Sequence, residues 1–227
     1  MPDRDGSARC PTREVVHGDA LEWLRARPAM AGASLLTSLP DMTELSASEA
    51  DWREFFAEAA TLCLQAVPPE GIAIFFQTDN RTAGRWISKA GLVLEAASRV
   101  GVPVLWHKVV CRRDPGTRLP GRPGYAHLLA FSRLARVPAL ASSADVLPEL
   151  GEQPWSHSMG RAAAEEALLT IRLASPQTRL LVAPFCGVGT ALAVANQHGL
   201  DAFGIERTRK RAERARTLEL GGSNAGG

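Results

Sequence analysis

The chain has 227 residues, 45% of them apolar, with a formal net charge of +2 and an isoelectric point of about 8.5. That length and apolar content suit one α/β domain with a sizeable core and exclude a disordered or fibrous chain. No apolar run reaches membrane length, no charged-then-apolar segment opens the chain, and Cys10, Cys63, Cys111 and Cys186 show neither metal-ligand spacing nor a disulfide pattern. A soluble, cytoplasmic protein with reduced thiols, no metal and no membrane partner is expected.

Residues 1–13 and the Gly/Ser/Asn tail 221–227 read as disordered, which leaves a single domain over 14–220. Residues 14–17 form a short strand ending at Gly18-Asp19, and 20–27 a short helix with Leu21 and Leu24 inward. A second buried strand, 34–37, carries Ser38-Leu39-Pro40-Asp41 at its tip. In 50–66, Trp52, Phe55, Phe56, Ala59, Leu62 and Cys63 recur at helical spacing. A turn at 68–71 precedes an apolar strand to Gln77, and 85–100 reads as a helix with Trp86, Ala90, Val93, Leu94 and Ala97 on one face. Strands at 102–110 and 126–132 flank a Gly/Pro-rich loop, 134–158 reads as a long loop, and 161–174 as a helix. The last helix is placed at 208–220. Strand and helix alternate, so a mostly parallel sheet with helices on both faces is expected.

The segment with most content is Leu180-Leu-Val-Ala-Pro-Phe-Cys-Gly-Val-Gly-Thr190. A buried strand runs into a turn where Gly187 and Gly189 allow close approach of backbone to ligand. A helix opens at Thr190 and stops at Gly199. The next strand ends at Glu206, 17 residues after Gly189, where a carboxylate can accept hydrogen bonds from ribose hydroxyls. Strand, two glycines, helix and acidic tip together define a nucleoside-binding βαβ unit.

Pro184-Phe185-Cys186-Gly187-Val188-Gly189-Thr190 with Gly204-Ile205-Glu206 resembles the cofactor-binding segment of S-adenosylmethionine-dependent methyltransferases, most closely the amino-methyltransferases that modify adenine N6 or cytosine N4. That family reads Asp-Pro-Phe-x-Gly-x-Gly-Thr, and Ala183 stands where it has the Asp that contacts the methionine part. The resemblance implies a Rossmann-like class I fold, S-adenosyl-L-methionine as cofactor, and Pro184, Phe185, Cys186, Gly187, Gly189, Thr190 and Glu206 as its binding residues. It also matches Gly18-Asp19 to the acid that faces the cofactor adenine; the alternative is that Asp19 only caps the helix after it.

Ser38-Leu39-Pro40-Asp41 stands where the family keeps its catalytic tetrapeptide, Asp/Asn/Ser-Pro-Pro-aromatic. The resemblance implies that Ser38 and the Leu39 carbonyl accept hydrogen bonds from the target amino group. Asp41 replaces the ring that stacks on the extruded base, and offers an acceptor for a proton or hydrogen bond. The alternative is a plain turn with Asp41 capping a helix. Trp106, Tyr125 and Trp155 are candidate replacement rings. His157 or Ser158 near the methionine carboxylate is a further expectation, with an ordinary loop as the alternative. Arg112, Arg113, Arg118 and Arg122 in the 112–124 loop read as phosphate contacts or as a solvated basic loop, and a second basic cluster runs from Arg207 to Arg216.

The resemblance covers about 14–218, with the acid and tetrapeptide first and the glycine turn last, the permuted order of part of that family. It implies methylation of a base in nucleic acid. The absence of room for a large recognition region places RNA slightly ahead of DNA. Two rivals stand beside it: methylation of a protein or small molecule, and a cofactor-binding module without catalysis.

Overall fold

The computed structural model describes residues 9–27, 29–82, 84–119, 122–138 and 143–221; of the segments expected to be disordered, 1–8 and 222–227 lie outside them, whereas Thr12 and Arg13 are ordered against the central sheet. Eight strands form the central sheet: β1 (Arg13–His17), β2 (Ala33–Thr37), β3 (Ala73–Gln77), β6 (Val104–Cys111), β7 (Tyr125–Phe131), β8 (Val146–Leu147), β9 (Leu180–Ala183) and β10 (Asp201–Glu206). Between β3 and β6 in the chain, β4 (Asn80–Thr82) and β5 (Arg85–Ile87) form a separate small hairpin. The order in the central sheet is β1-β10-β9-β2-β3-β7-β6-β8. All neighbours pair in parallel except β7, which is antiparallel to both β3 and β6. Thr12 extends the first strand: its carbonyl accepts from Ala202 N at 2.9 Å.

Side chains alternate across a strand, and each face has its own helical cover. Leu36, Ile74, Leu128 and Leu181 share one core with α5 (Arg161–Ala174), α6 (Thr190–Gln197) and α7 (Arg209–Thr217). Their neighbours Leu35, Phe75, Leu129 and Phe131 share the other with α1 (Ala20–Arg25), α3 (Glu49–Gln65) and α4 (Lys89–Arg99). Of the stripe expected on α3, Trp52, Phe56, Ala59 and Cys63 are buried, joined by Ala60 and Leu64, while Phe55 and Leu62 are only partly buried; Ser48 Oγ caps the helix by accepting from Asp51 N at 3.2 Å. Filling one such buried aromatic position is worth about 3–5 kcal/mol against alanine.

Three expectations need correction. The helix expected over 85–100 begins only at Lys89, capped by Ser88, whose Oγ accepts from Gly91 N at 3.1 Å. Arg85–Ile87 instead pairs with Asn80–Thr82 in the hairpin. There Trp86 is 47% exposed and packs under the Arg81 guanidinium, 4.6 Å from ring centre to carbon; it is not a core residue of α4. The last helix is shorter than expected, Arg209–Thr217. A short helix, α2 (Met42–Leu45), follows the tetrapeptide.

The parallel strands β1, β2, β3, β9 and β10 end on one edge of the sheet, which brings Gly18-Asp19, Ser38–Asp41, Thr78-Asp79, Pro184–Gly189 and Glu206 together. The chain leaves β9 toward β10 on one side and leaves β2 toward β3 on the other, so the boundary between β9 and β2 is the topological switch point, where open α/β sheets take their ligands.

Candidate active site

Two clefts open on this edge. The first encloses about 1030 Å³, open mouth included, and lies over the switch point. Asp19, Thr37, Pro184, Phe185, Gly187 and Glu206 line it, together with Cys186 and Thr190. Every expected cofactor residue is therefore brought to one place, apart from Gly189. A Cβ on Gly187, at φ +56°, would meet no atom within 4 Å and would enter open space; a Cβ on Gly189, at φ +92°, would meet Ala215 Cα of α7 at 2.8 Å. Gly189 serves the docking of α7, and Gly187 the open floor of the cleft.

The polar groups of this cleft are only partly satisfied from within. Asp19 Oδ1 caps α1, accepting from Leu21 N at 2.7 Å and Glu22 N at 3.1 Å, and lines the cleft as well. Glu206 is buried, and one carboxylate oxygen accepts from Thr208 N at 2.7 Å. Among the described residues the buried Thr37 and Thr190 hydroxyls have no partner, an arrangement that costs free energy unless a ligand supplies one. Burial, then the charge of Glu206, pushes the Cys186 thiol up to about 12, so it stays protonated. Cys186 Sγ also fills the space over Gly204, where a Cβ would meet it at 2.8 Å.

One wall of the cleft comes from distant segments. Trp155, His157 and Ser158 line it. Arg211 of α7 lies over the Trp155 ring at 4.9 Å and pairs with Glu44 of α2 at 3.1 Å. Much of the C-terminal basic cluster is thus engaged inside the molecule: Arg214 donates to Pro154 O at 2.8 Å and Arg216 to Val15 O at 2.9 Å.

The second cleft, about 950 Å³ with its open mouth, adjoins the first at Ser38 and Leu39, which line both. Pro40 lines the first cleft and Asp41 the second. The tetrapeptide is fastened from two helices. Trp52 Nε1 of α3 donates to Pro40 O at 3.1 Å. Lys89, 3% exposed at the first turn of α4, pairs with Asp41 and points its amine at Leu39 O at 3.5 Å. Asp41 also stands at the N-cap of α2, with Glu44 Oε1 accepting from its backbone N–H at 3.2 Å, so the helix-start position and the ion pair occur together. Lys89 was not legible as a site residue, although a signal existed: a lysine in the first turn opposes the helix dipole and calls for a nearby acid.

Arg112 and Arg122 line the second cleft, joined by Arg81; Arg113 and Arg118, exposed like Arg81 and Arg122, do not line it. None of the candidate replacement rings lines it. Trp106 is partly buried against the core, Tyr125 stands edge-on to His127, and Trp155 belongs to the first cleft. Phe76 is its aromatic wall. Behind it, Asp79 accepts from Lys89 N at 2.8 Å and contacts His127 Nε2 at 3.2 Å, and His127 Nδ1 meets His107 Nε2 at 2.9 Å. Burial alone would raise the Asp79 carboxyl; the hydrogen bond and charge of His127 and two backbone amides hold it below the ordinary value. Among the described residues, no group of His, Cys, Asp and Glu could hold a metal ion, and no helix is long and apolar enough to cross a membrane.

Neither a protein-family model nor a curated protein matches the chain in sequence. Solved structures do match in fold. The cytosine-N4-specific PvuII DNA methyltransferase aligns over 96% of this chain and 92% of its own, with 16% identity and a TM-score of 0.72. TTHA0409 from Thermus thermophilus, complexed with S-adenosyl-L-methionine, aligns over 90% and 91%, with 18% identity and a TM-score of 0.68. M1.HpyAVI, also as a complex with SAM, aligns over 90% and 98%, with 15% identity and a TM-score of 0.61. The chain has the Rossmann-like class I methyltransferase fold, in the form these structures share.

Proposed function

We propose that the protein is an S-adenosyl-L-methionine-dependent methyltransferase acting on an exocyclic amine of a base in nucleic acid. The observation that carries this is the meeting of two clefts at Ser38-Leu39, one suited to a nucleoside cofactor and one polar and open to a substrate. The residues of the first cleft fit S-adenosylmethionine. Glu206 would hold the ribose hydroxyls and Asp19 the adenine side, over a floor of Pro184, Phe185, Cys186 and Gly187; the buried hydroxyls of Thr37 and Thr190 would offer the methionine part partners that Ala183 does not. The cofactor supplies a methyl group on a positively charged sulfur.

The chain's own work is alignment. Ser38 Oγ and the Leu39 carbonyl accept hydrogen bonds from the target amine and aim its lone pair across the boundary between the clefts. A carbonyl has two lone pairs, so the contact from Lys89 leaves one for substrate. The second cleft, open to solvent beside Ser38 and Leu39, would let water take the proton that the amine gives up. Asp41, clamped by Lys89, holds the loop in shape.

DNA is the favoured polymer. The PvuII enzyme acts on DNA, and its chain is nearly spanned by this one, so the shortage of room for a recognition region does not argue for RNA. The test is incubation with methyl-labelled cofactor and DNA, RNA and protein in parallel. Label in DNA as an N-methyl base is expected. Label in protein would support the first rival, and cofactor binding without transfer to any of the three the second.

A further inference from the structure

We propose that the second cleft is an anion site in which Arg81, Arg112 and Arg122 hold a phosphate belonging to the target nucleotide, so that the unit recognised beside Ser38 is base plus phosphate. This rests on the nucleic-acid reading for the source of the phosphate, though not for the site itself.

Three separate segments bring these arginines to the lining of one cavity: the β4–β5 hairpin, the end of β6, and the far side of the 112–124 loop. Among the described residues none of the three makes an ion pair with a carboxylate. The carboxylates lining the same cleft are already engaged: Asp41 with Lys89, Glu44 with Arg211 at 3.1 Å, and Asp79 with His127 and two backbone amides. The cavity therefore presents unneutralised positive charge, within reach of solvent, next to the tetrapeptide.

Two of the three arginines are also held locally. Arg81 lies over the Trp86 ring. Arg112 sits at the neck of its loop, where Arg112 N donates to Gly124 O at 2.8 Å and Arg113 N to the same oxygen at 3.3 Å. Burial, then the charges of Arg122 and Arg113, disfavour the charged form of Arg112, with Asp41 opposing. An anion between Arg112 and Arg122 would relieve that repulsion. Planar guanidinium groups match phosphate oxygens in pairs. A polar cleft with charged walls and one phenylalanine selects for the phosphate of a nucleotide where a stacking ring would select for the base face alone.

The test measures binding of two probes to the full chain saturated with cofactor: a fluorescein-labelled DNA duplex, and adenosine and cytidine 5′-monophosphates. Variants are Arg81→Gln, Arg112→Gln and Arg122→Gln, with Arg112→Lys as a charge-retaining partner and Arg99→Gln, at the far end of α4, as a surface control. Each of the three Gln variants should weaken duplex binding about tenfold, with cofactor affinity intact. Each should also reduce the salt slope by roughly 0.9 for every phosphate no longer neutralised. Arg112→Lys should recover part of the affinity, and Arg99→Gln should behave as wild type. If the wild type binds the monophosphates through the same arginines but not the duplex, the anion site stands and its phosphate comes from a free nucleotide, which overturns the nucleic-acid reading instead. Wild-type affinity and slope in all three Gln variants, or no binding of either probe, would overturn the anion site.

Discussion

Gly187 and Gly189 lie two residues apart at positive φ, yet they answer to different constraints. Gly187→Val places a side chain in the first cleft and strains the backbone by about 1–3 kcal/mol; calorimetry should show cofactor binding lost while the fold persists. Gly189→Val drives a side chain into the α7 backbone at Ala215, so strain adds to overpacking, a loss of about 3 kcal/mol or more, and the melting temperature should fall first. Equal behaviour of the two variants would contradict this division of labour. Glu206 is a buried carboxylate with one oxygen used by Thr208 N. Glu206→Ala should weaken cofactor binding by about 1–3 kcal/mol, the scale of a charged hydrogen bond; unchanged affinity by titration would assign Glu206 to capping alone.

At the scale of elements, α3 and α4 hold the tetrapeptide in place as well as packing the sheet. Trp52 fastens Pro40 and Lys89 fastens Leu39 and Asp41. Lys89→Met leaves Asp41 without its partner and frees the loop, so turnover should fall far more than cofactor affinity, with Lys89→Arg recovering part of it. Asp41→Asn should give a similar loss, and the double variant should lose much less than the sum, because the two residues act as one clamp. Additive losses in turnover would mean that each acts alone. The hairpin of β4 and β5 explains why helical spacing overruns the true start of α4. Trp86 falls on the helical face by spacing, but Ser88 offers a cap, and the ring finds Arg81 instead of the core.

Across the molecule, one charge chain links the sheet to the site. His107 on β6 contacts His127 on β7, which contacts Asp79 at the foot of α4. Burial, then the charge of His127, lowers the pKa of His107 from 6.5, with Asp79 opposing. The unfolded chain thus takes up the proton more readily. His107's share of stability is present above its unfolded value and lost as pH falls below 6.5 toward its folded value. Melting temperatures should drop on acidification from about pH 7 to 5, and His107→Gln should flatten that drop; an unchanged profile would remove His107 as its source. Asp79, held below 3.8, adds a separate loss only in stronger acid. The parts of the site that are contiguous in the chain were legible in the sequence: the turn from Pro184 to Thr190, the acid at Glu206 and the tip from Ser38 to Asp41. Their conformations are local, set by glycine, proline and the alternation of strand and helix. What pairs with them was not legible. Lys89 reaches Asp41 across 48 residues, and Arg211 reaches Glu44 across 167. Arg81 lines one cleft with Arg112 and Arg122, while Arg113 and Arg118 do not. Those contacts depend on strand order and on the angle at which each helix crosses the sheet, quantities that only the packing of the whole chain decides.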